Sequence, residues 1–229
     1  MSEARNMRAY DAAFARAAIL NAAEEVFASH GFDGARMEMI ASASGYTKSL
    51  IFHYFGDKLG LYVAILQRIR EQAEIVQAQT FAPFFTDEAV GRDAENFAAL
   101  IETGIRTAFD SLLAHPHLLR LFAWEAASRW QTLTQILARR ESQGKEYEQI
   151  RLWFCQAQEA GIMRSDLDPH VVLTLLLSLC QHSLTALPLY QHIFPGEDWS
   201  SPEALVHTRE QLVRLMVHAI LVDSSQEGT

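Results

Sequence analysis

Positive charge is in short supply: 19 Lys and Arg stand against 28 Asp and Glu in 229 residues, a net charge of −9. That balance excludes binding to nucleic acid through a generally positive field, so any such binding must come from local placement of cations. Cysteine is scarce as well. Cys155 and Cys180 lie in apolar segments without CxxC or Cys/His ligand spacing, and read as small buried hydrophobes in a reducing cytoplasm. Six Pro and 11 Gly beside 49% hydrophobic residues exclude a disordered chain. Long apolar runs are missing too. The most membrane-like stretch, 171–179, is too short to span and is interrupted by Gln181, His182 and Ser183, so no membrane partner is expected. Arg5 and Arg8 have no apolar run behind them, which argues against a secretory signal. Catalytic signatures are also lacking: there is no HExxH, no GxSxG and no glycine-rich phosphate loop, and His115-Pro116-His117 falls at a helix junction without a carboxylate cluster. No catalytic residue, metal or cofactor is expected.

What is present reads almost everywhere as helix. In 11–30, Phe14, Ala18, Ala22, Ala23, Val26 and Phe27 recur at three- and four-residue steps, and Gly31 ends the run. Short helices are expected at 37–44, closed by Gly45, and at 48–54 with Thr47 as N-cap. Gly56-Asp57 breaks the pattern, and Asp57 caps a longer helix over 58–79 with Leu61, Ile65, Leu66 and Ile69 inward. Pro83 marks a change of character. Further helices are expected at 93–114, 116–127, 129–161, 168–187 and 202–222, punctuated by Pro and Gly. The fold class is all-α, with a small N-terminal unit and a larger C-terminal one.

Three short N-terminal helices, the last two joined by a tight glycine turn, meet the demands of a helix-turn-helix. Met39, Ile40, Ile51 and Phe55 are placed to join the first helix in a core, leaving Tyr46, Thr47, Lys48, Ser49, His53, Tyr54 and Lys58 polar and outward. Such a face suits insertion into a major groove about 12 Å wide. The order and spacing of Ile19-Leu20, Ala23, Phe27, Gly31, Ile40-Ala41, Gly45, Thr47-Lys48, His53-Tyr54-Phe55, Lys58 and Leu61 resemble the DNA-binding domain of the TetR family of bacterial repressors. The "EAGIMRSDLDP" stretch before a long apolar helix is similar to that family's approach to its dimer helices.

The resemblance implies a helix-turn-helix domain over 11–60, a connecting helix over 61–80 and an effector-binding and dimerisation domain over 81–222. It implies a cytoplasmic, nucleoid-associated homodimer that binds a palindromic double-stranded operator and is released by a small apolar or amphipathic effector. Thr47, Tyr54 and Lys58 then look like phosphate contacts, and Lys48 and Ser49 like base-edge readers. Their donors agree with those roles, since Lys can donate to guanine O6 and N7. Tyr46 belongs to the same face. The sequence departs from the family pattern at three places. Phe52 stands where the family often has Tyr, so a hydroxyl is missing from the DNA side. Ala35-Arg36 replaces the usual Ser or Thr cap, and Arg36 can substitute a charge-assisted phosphate contact. Glu38 lies where it either accepts from cytosine N4 or points into solvent. His53 either faces a phosphate or packs on the first helix.

Residues 81–190 are rich in aromatics. Most are ordinary core, but the resemblance implies a ligand cavity, for which Phe81, Phe85, Phe109, Trp124, Trp130, Trp153, Phe154 and His182 are candidates. Arg106, Glu125, Arg129 and His182 are polar groups inside otherwise apolar helices; one or two of them can orient a ligand, and surface exposure is expected for most. The last two helices carry wide apolar faces (Val172, Leu175, Leu176 and Leu179, then Leu205, Leu212, Leu215, Met216 and Ala219), more than one bundle needs, and the family pairs such helices into a dimer interface. The competing readings are an enzyme and a helical protein-interaction module; neither requires Thr47, Lys48, Tyr54 and Lys58 on one short outward helix.

Overall fold

The computed structural model describes residues 2–86, 89–137 and 145–222. Among these the chain forms eleven helices: α1 Ser2–Gly34, α2 Met37–Ser44, α3 Lys48–Phe55, α4 Lys58–Thr86, α5 Ala94–Ala114, α6 Pro116–Ala127, α7 Gln131–Leu137, α8 Lys145–Glu159, α9 Pro169–Thr185, α10 Leu187–Ile193 and α11 Pro202–Ile220. There is no strand among the described residues; an isolated bridge pairs Met163 with Leu221. The helices pack as two units, residues 1–74 with 117–140, and 75–116 with 141–229. Residues 117–140, expected in the second domain, thus group with the reading helices. No single described helix is long and apolar enough to cross a membrane, although α9 and α10 together, bent by 55°, pass a test of length and composition.

Short polar residues start the helices where the sequence places them. Asp93, Asp168 and Ser201 each accept a hydrogen bond from a first-turn N–H of α5, α9 and α11, which satisfies a donor the helix itself cannot. Several expected boundaries move; α1 begins at Ser2 rather than 11 and reaches Gly34, with Gly31 non-helical inside it. α4 continues through Pro83 to Thr86. The proline forfeits one helical bond, and ring contacts on either side, Phe81 with Phe84 and Phe85 with Trp153, hold the turn. The helix expected to begin at 129 begins at Gln131 instead, because Arg129 and Trp130 adopt φ of 58° and 60° ahead of α7. Residues 138–144 of that expected helix lie outside the described ones. α10 was not expected from the sequence.

The first unit's core joins Ile19, Leu20, Ala23 and Phe27 of α1 to Ile40, Ile51, Leu61, Tyr62 and Ile65, with Leu121 of α6. Met39 and Phe55 pack at its edge. Phe14, expected inward, is exposed. It lies toward the start of α1 and lines a hollow of about 500 Å³ with Tyr46 and Tyr54. In the second unit α5 is the centre. Phe97, Leu100, Ile101, Ile105 and Phe109 recur at helical spacing and are buried, and α5 packs against α8, α9 and α11. Cys180 is buried there, its thiol pushed up to about 11 by desolvation, whereas Cys155 is only half-buried.

Candidate nucleic-acid interface

Everything about α2 and α3 serves to hold one short helix by its inner face. Ile40 of α2 and Ile51 of α3 are fully buried. Gly45 closes α2 with a left-handed φ of 74° and donates its N–H to Ala41 O, a conformation glycine adopts without a Cβ clash. Thr47 then caps α3, its Oγ1 accepting from Leu50 N at 3.3 Å. The hydroxyl proton is not used in that bond and stays free to donate to a phosphate. Thr47, Lys48 and Ser49 are all exposed at the start of α3.

The expected DNA-facing residues divide into three groups. Thr47, Lys48, Ser49, Phe52 and His53 are exposed along α3, and His53 stacks edgewise on Tyr54 at 5.5 Å without being buried against α1. Tyr46 and Tyr54 are half-buried and pack against the core. Lys58 is occupied: its Nζ donates to Ala35 O at 3.1 Å and Asp33 O at 3.4 Å and lies 4.6 Å from the centre of the Phe32 ring. It therefore neutralises the carbonyl end of the chain leaving α1, a role its place in the sequence did not reveal. Arg36 sits at the N-cap position of α2, exposed, with no side-chain capping bond. Glu38 is exposed, as one of its two expected readings has it, but it is not unpartnered. Its Oε1 accepts from Lys48 Nζ at 2.6 Å, and this bond holds its carboxyl below the ordinary carboxylate range.

Two residues sequence reasoning placed elsewhere support this reading head. Trp124, expected in a ligand cavity, packs on Gly31 and donates its indole N–H to Ala28 O at 3.2 Å. Gly31 has φ 70° and ψ 175°, a region essentially closed to other residues, and a Cβ there would lie 2.9 Å from the Trp124 ring. Glu125, expected near the surface, is 3% exposed. It accepts from Tyr62 Oη at 2.9 Å and from Leu133 N at 3.0 Å, so one carboxylate ties α6 to α4 and to the start of α7. Burial, and then the neighbouring carboxylate, push the Tyr62 phenol far above its usual range. No local signal marks either residue, because their partners lie 63 and 96 positions away in the chain.

The expected ligand residues do not form one set. Trp124 and Trp130 belong to the first unit, Trp130 beside Phe122. Phe81, Phe85, Phe109, Trp153, Phe154 and His182 belong to the second. There Phe109, Trp153 and Phe154 are buried, Phe154 edge-on to Phe97, while Phe85 and His182 are exposed. Arg106 is held by Glu102 and Glu210 rather than aimed at a cavity. The expected dimer residues also divide. Val172 and Met216 are buried within the chain's own second unit, Leu176, Leu179, Leu205 and Leu212 are half-buried, and Leu215 is exposed. The strongly exposed apolar side chains of these helices are Val171, Leu175, Leu177, Val206 and Leu215. Of the apolar faces read from the sequence, Leu175 and Leu215 stay exposed, whereas the chain's own core takes Val172 and Met216.

Residues 19–65 match the model for bacterial regulatory proteins of the tetR family, and residues 98–216 match that for a tetracyclin repressor-like C-terminal domain. The chain belongs to the TetR family. As a member it is a DNA-binding transcriptional regulator with an N-terminal helix-turn-helix and a larger helical C-terminal domain. The HTH-type transcriptional repressor SCO4008 of Streptomyces coelicolor is 26% identical to it over 92% of this chain and 99% of its own length. Among solved structures, a transcriptional regulator of Streptomyces coelicolor, SCO4942, superposes with a TM-score of 0.64 at 23% identity, covering 90% of this chain and 97% of that one. FadR of Bacillus subtilis in complex with stearoyl-CoA superposes with a TM-score of 0.58 at 17% identity, over 89% and 98%. The structural likenesses show the fold of this TetR-family chain. Among its described residues no group of three or more His, Cys, Asp and Glu converges as a metal site would.

Proposed function

We propose that this chain is a cytoplasmic repressor that binds a palindromic operator as a homodimer and leaves it when a small apolar or amphipathic molecule binds the second unit. The observation that carries the reading is the start of α3. Three polar side chains, Thr47, Lys48 and Ser49, stand exposed on a helix whose opposite face is locked by Ile51. Thr47, Tyr54 and the exposed Arg36 are the phosphate contacts, which set register. Lys48 and Ser49 read base edges, and Lys58 combines its hold on α1 with a phosphate contact.

Dimerisation is supported by α9 and α11. Leu175 is 47% and Leu215 is 61% exposed, and a hollow of about 810 Å³ lies along α11 between Trp199, His207, Gln211 and Leu215. A second copy covering this face would bury these apolar side chains and set two α3 helices against half-sites about 34–36 Å apart. An apolar effector is supported by the ring-rich interior of the second unit and by the acyl-CoA that the Bacillus subtilis FadR structure holds.

The deciding experiment is a gel shift on the DNA upstream of the chain's own gene at several salt concentrations. A dimer should bind with a steep salt dependence; an enzyme or an interaction module should not bind at all. Small molecules that raise thermal stability are then titrated with and without operator. By linkage an inducer must bind more weakly to the operator complex, typically by about 1–3 kcal/mol. Equal affinity in both titrations overturns the inducer.

A further inference from the structure

Lys48 opens α3 and Glu38 lies in the first turn of α2, ten residues earlier, and the two are joined at 2.6 Å with both side chains about half exposed or more. A surface ion pair of this kind adds little to stability, so the fold does not need it. What it does is fix two charges of opposite sign side by side at the exposed start of the reading helix. Both helices behind them are immobilised by buried Ile40 and Ile51 and by the Gly45 turn. Neither group is used up by the bond. An ammonium has three donors, and a carboxylate has about four acceptor sites.

In the major groove a G·C pair shows two acceptors, guanine N7 and O6, next to one donor, cytosine N4. An A·T pair shows a donor, adenine N6, in the middle of its edge, where an ammonium is repelled. The Lys48–Glu38 pair has the complementary order, donors beside an acceptor. We propose that Glu38 is a specificity-determining residue. Together with Lys48 it reads one G·C pair in a fixed orientation, Lys48 on guanine O6 and N7 and Glu38 on cytosine N4. The carboxylate also repels bare phosphate and the acceptor-rich edges of wrong bases, so it raises selectivity by penalising the alternatives. This rests on the reading of α3 as the helix that enters the groove.

The test selects preferred sites from a random duplex library with the full-length wild type, Glu38→Ala, Lys48→Ala and the double variant. Affinity is then measured on the wild-type site with each base pair changed in turn. Circular dichroism checks that these surface changes leave the fold intact. The wild type should favour G·C at one position of each half-site by about 10- to 100-fold. Glu38→Ala should remove most of that preference at the same position, and the double variant should discriminate there no worse than Lys48→Ala alone. If Glu38→Ala instead tightens binding to all sequences alike with every preference intact, the carboxylate is only a repulsive charge and the inference is overturned. If the wild type selects no site, the DNA-reading function itself has failed. That outcome is distinct from a wild type that selects a site which Glu38→Ala leaves unchanged.

Discussion

Two helical surfaces of this chain turn side chains to solvent, and they differ in kind. The start of α3 exposes donors, Thr47, Lys48 and Ser49, on a helix of eight residues. The outer faces of α9 and α11 expose Val171, Leu175, Val206 and Leu215 on helices of 17 and 19 residues. A short helix buries too little to be stable alone, so α3 depends on the core beneath it and spends its outer face on polar recognition. A long helix with apolar groups on two sides is already stable through one of them, and the other is available for a large dry contact. The first surface suits a hydrated polyanion and the second suits another copy of the same face.

The sharpest way to break that comparison is to put charge on the apolar surface. Leu175→Glu with Leu215→Glu should leave a folded chain that sediments as a monomer, since neither side chain is buried in the core. Its affinity for a two-half-site operator should drop by about 10²–10⁴, the factor lost when two linked contacts become one. A dimer that persists in sedimentation would move the interface off these helices.

A smaller effect is expected beneath the polar surface. Tyr62→Phe leaves one oxygen of the buried Glu125 without its donor, which should cost about 1–3 kcal/mol in urea denaturation. Glu125→Leu added to Tyr62→Phe should recover at most part of this loss, because it removes the buried carboxylate but takes the acceptor from Leu133 N. No change in midpoint for Tyr62→Phe would remove Glu125 from the support of the reading head.

Lys58→Ala sharpens the boundary between support and recognition. Loss of its bonds to Ala35 and Asp33 should lower stability by about 0.3–1 kcal/mol. If it also touches phosphate, the slope of log affinity against log salt should shrink by about one unit. A stability loss with an unchanged slope would make it a structural lysine only.

The smallest signal is the Glu38 titration followed by NMR. Its pKa is lowered by the Lys48 bond, so the ion pair is present above the unfolded-state pKa and is lost as pH falls through the lower folded value. Lys48→Ala should return the titration toward the ordinary carboxylate range. An unshifted Glu38 in the wild type would show that the bond does not persist in solution.

Local order along the chain was legible in particular residues. Gly31, Gly45 and the caps Thr47 and Asp57 act on backbone groups within a few positions, so their effects follow from neighbours in sequence. The same holds for the polar start of α3. Other features had no such mark. Arg129 and Trp130 are not turn-forming types, and they take left-handed conformations because Glu125 O accepts from Trp130 N at 2.7 Å while its carboxylate engages Leu133 N. The burial of Glu125 and the seating of Trp124 on Gly31 depend on partners far along the chain.

By itself, then, the sequence determined the helical class, the helix-turn-helix and the donor set at its exposed start, since these rest on periodicity, caps and turns. Only the tertiary structure decided that Glu38 is joined to Lys48, that Lys58 serves α1, that 117–140 pack with the reading head, and which side of α9 and α11 stays outside. Periodicity says that a helix has an apolar stripe. Where that stripe is wider than one contact, only the packing of the rest of the chain chooses which residues of it are buried.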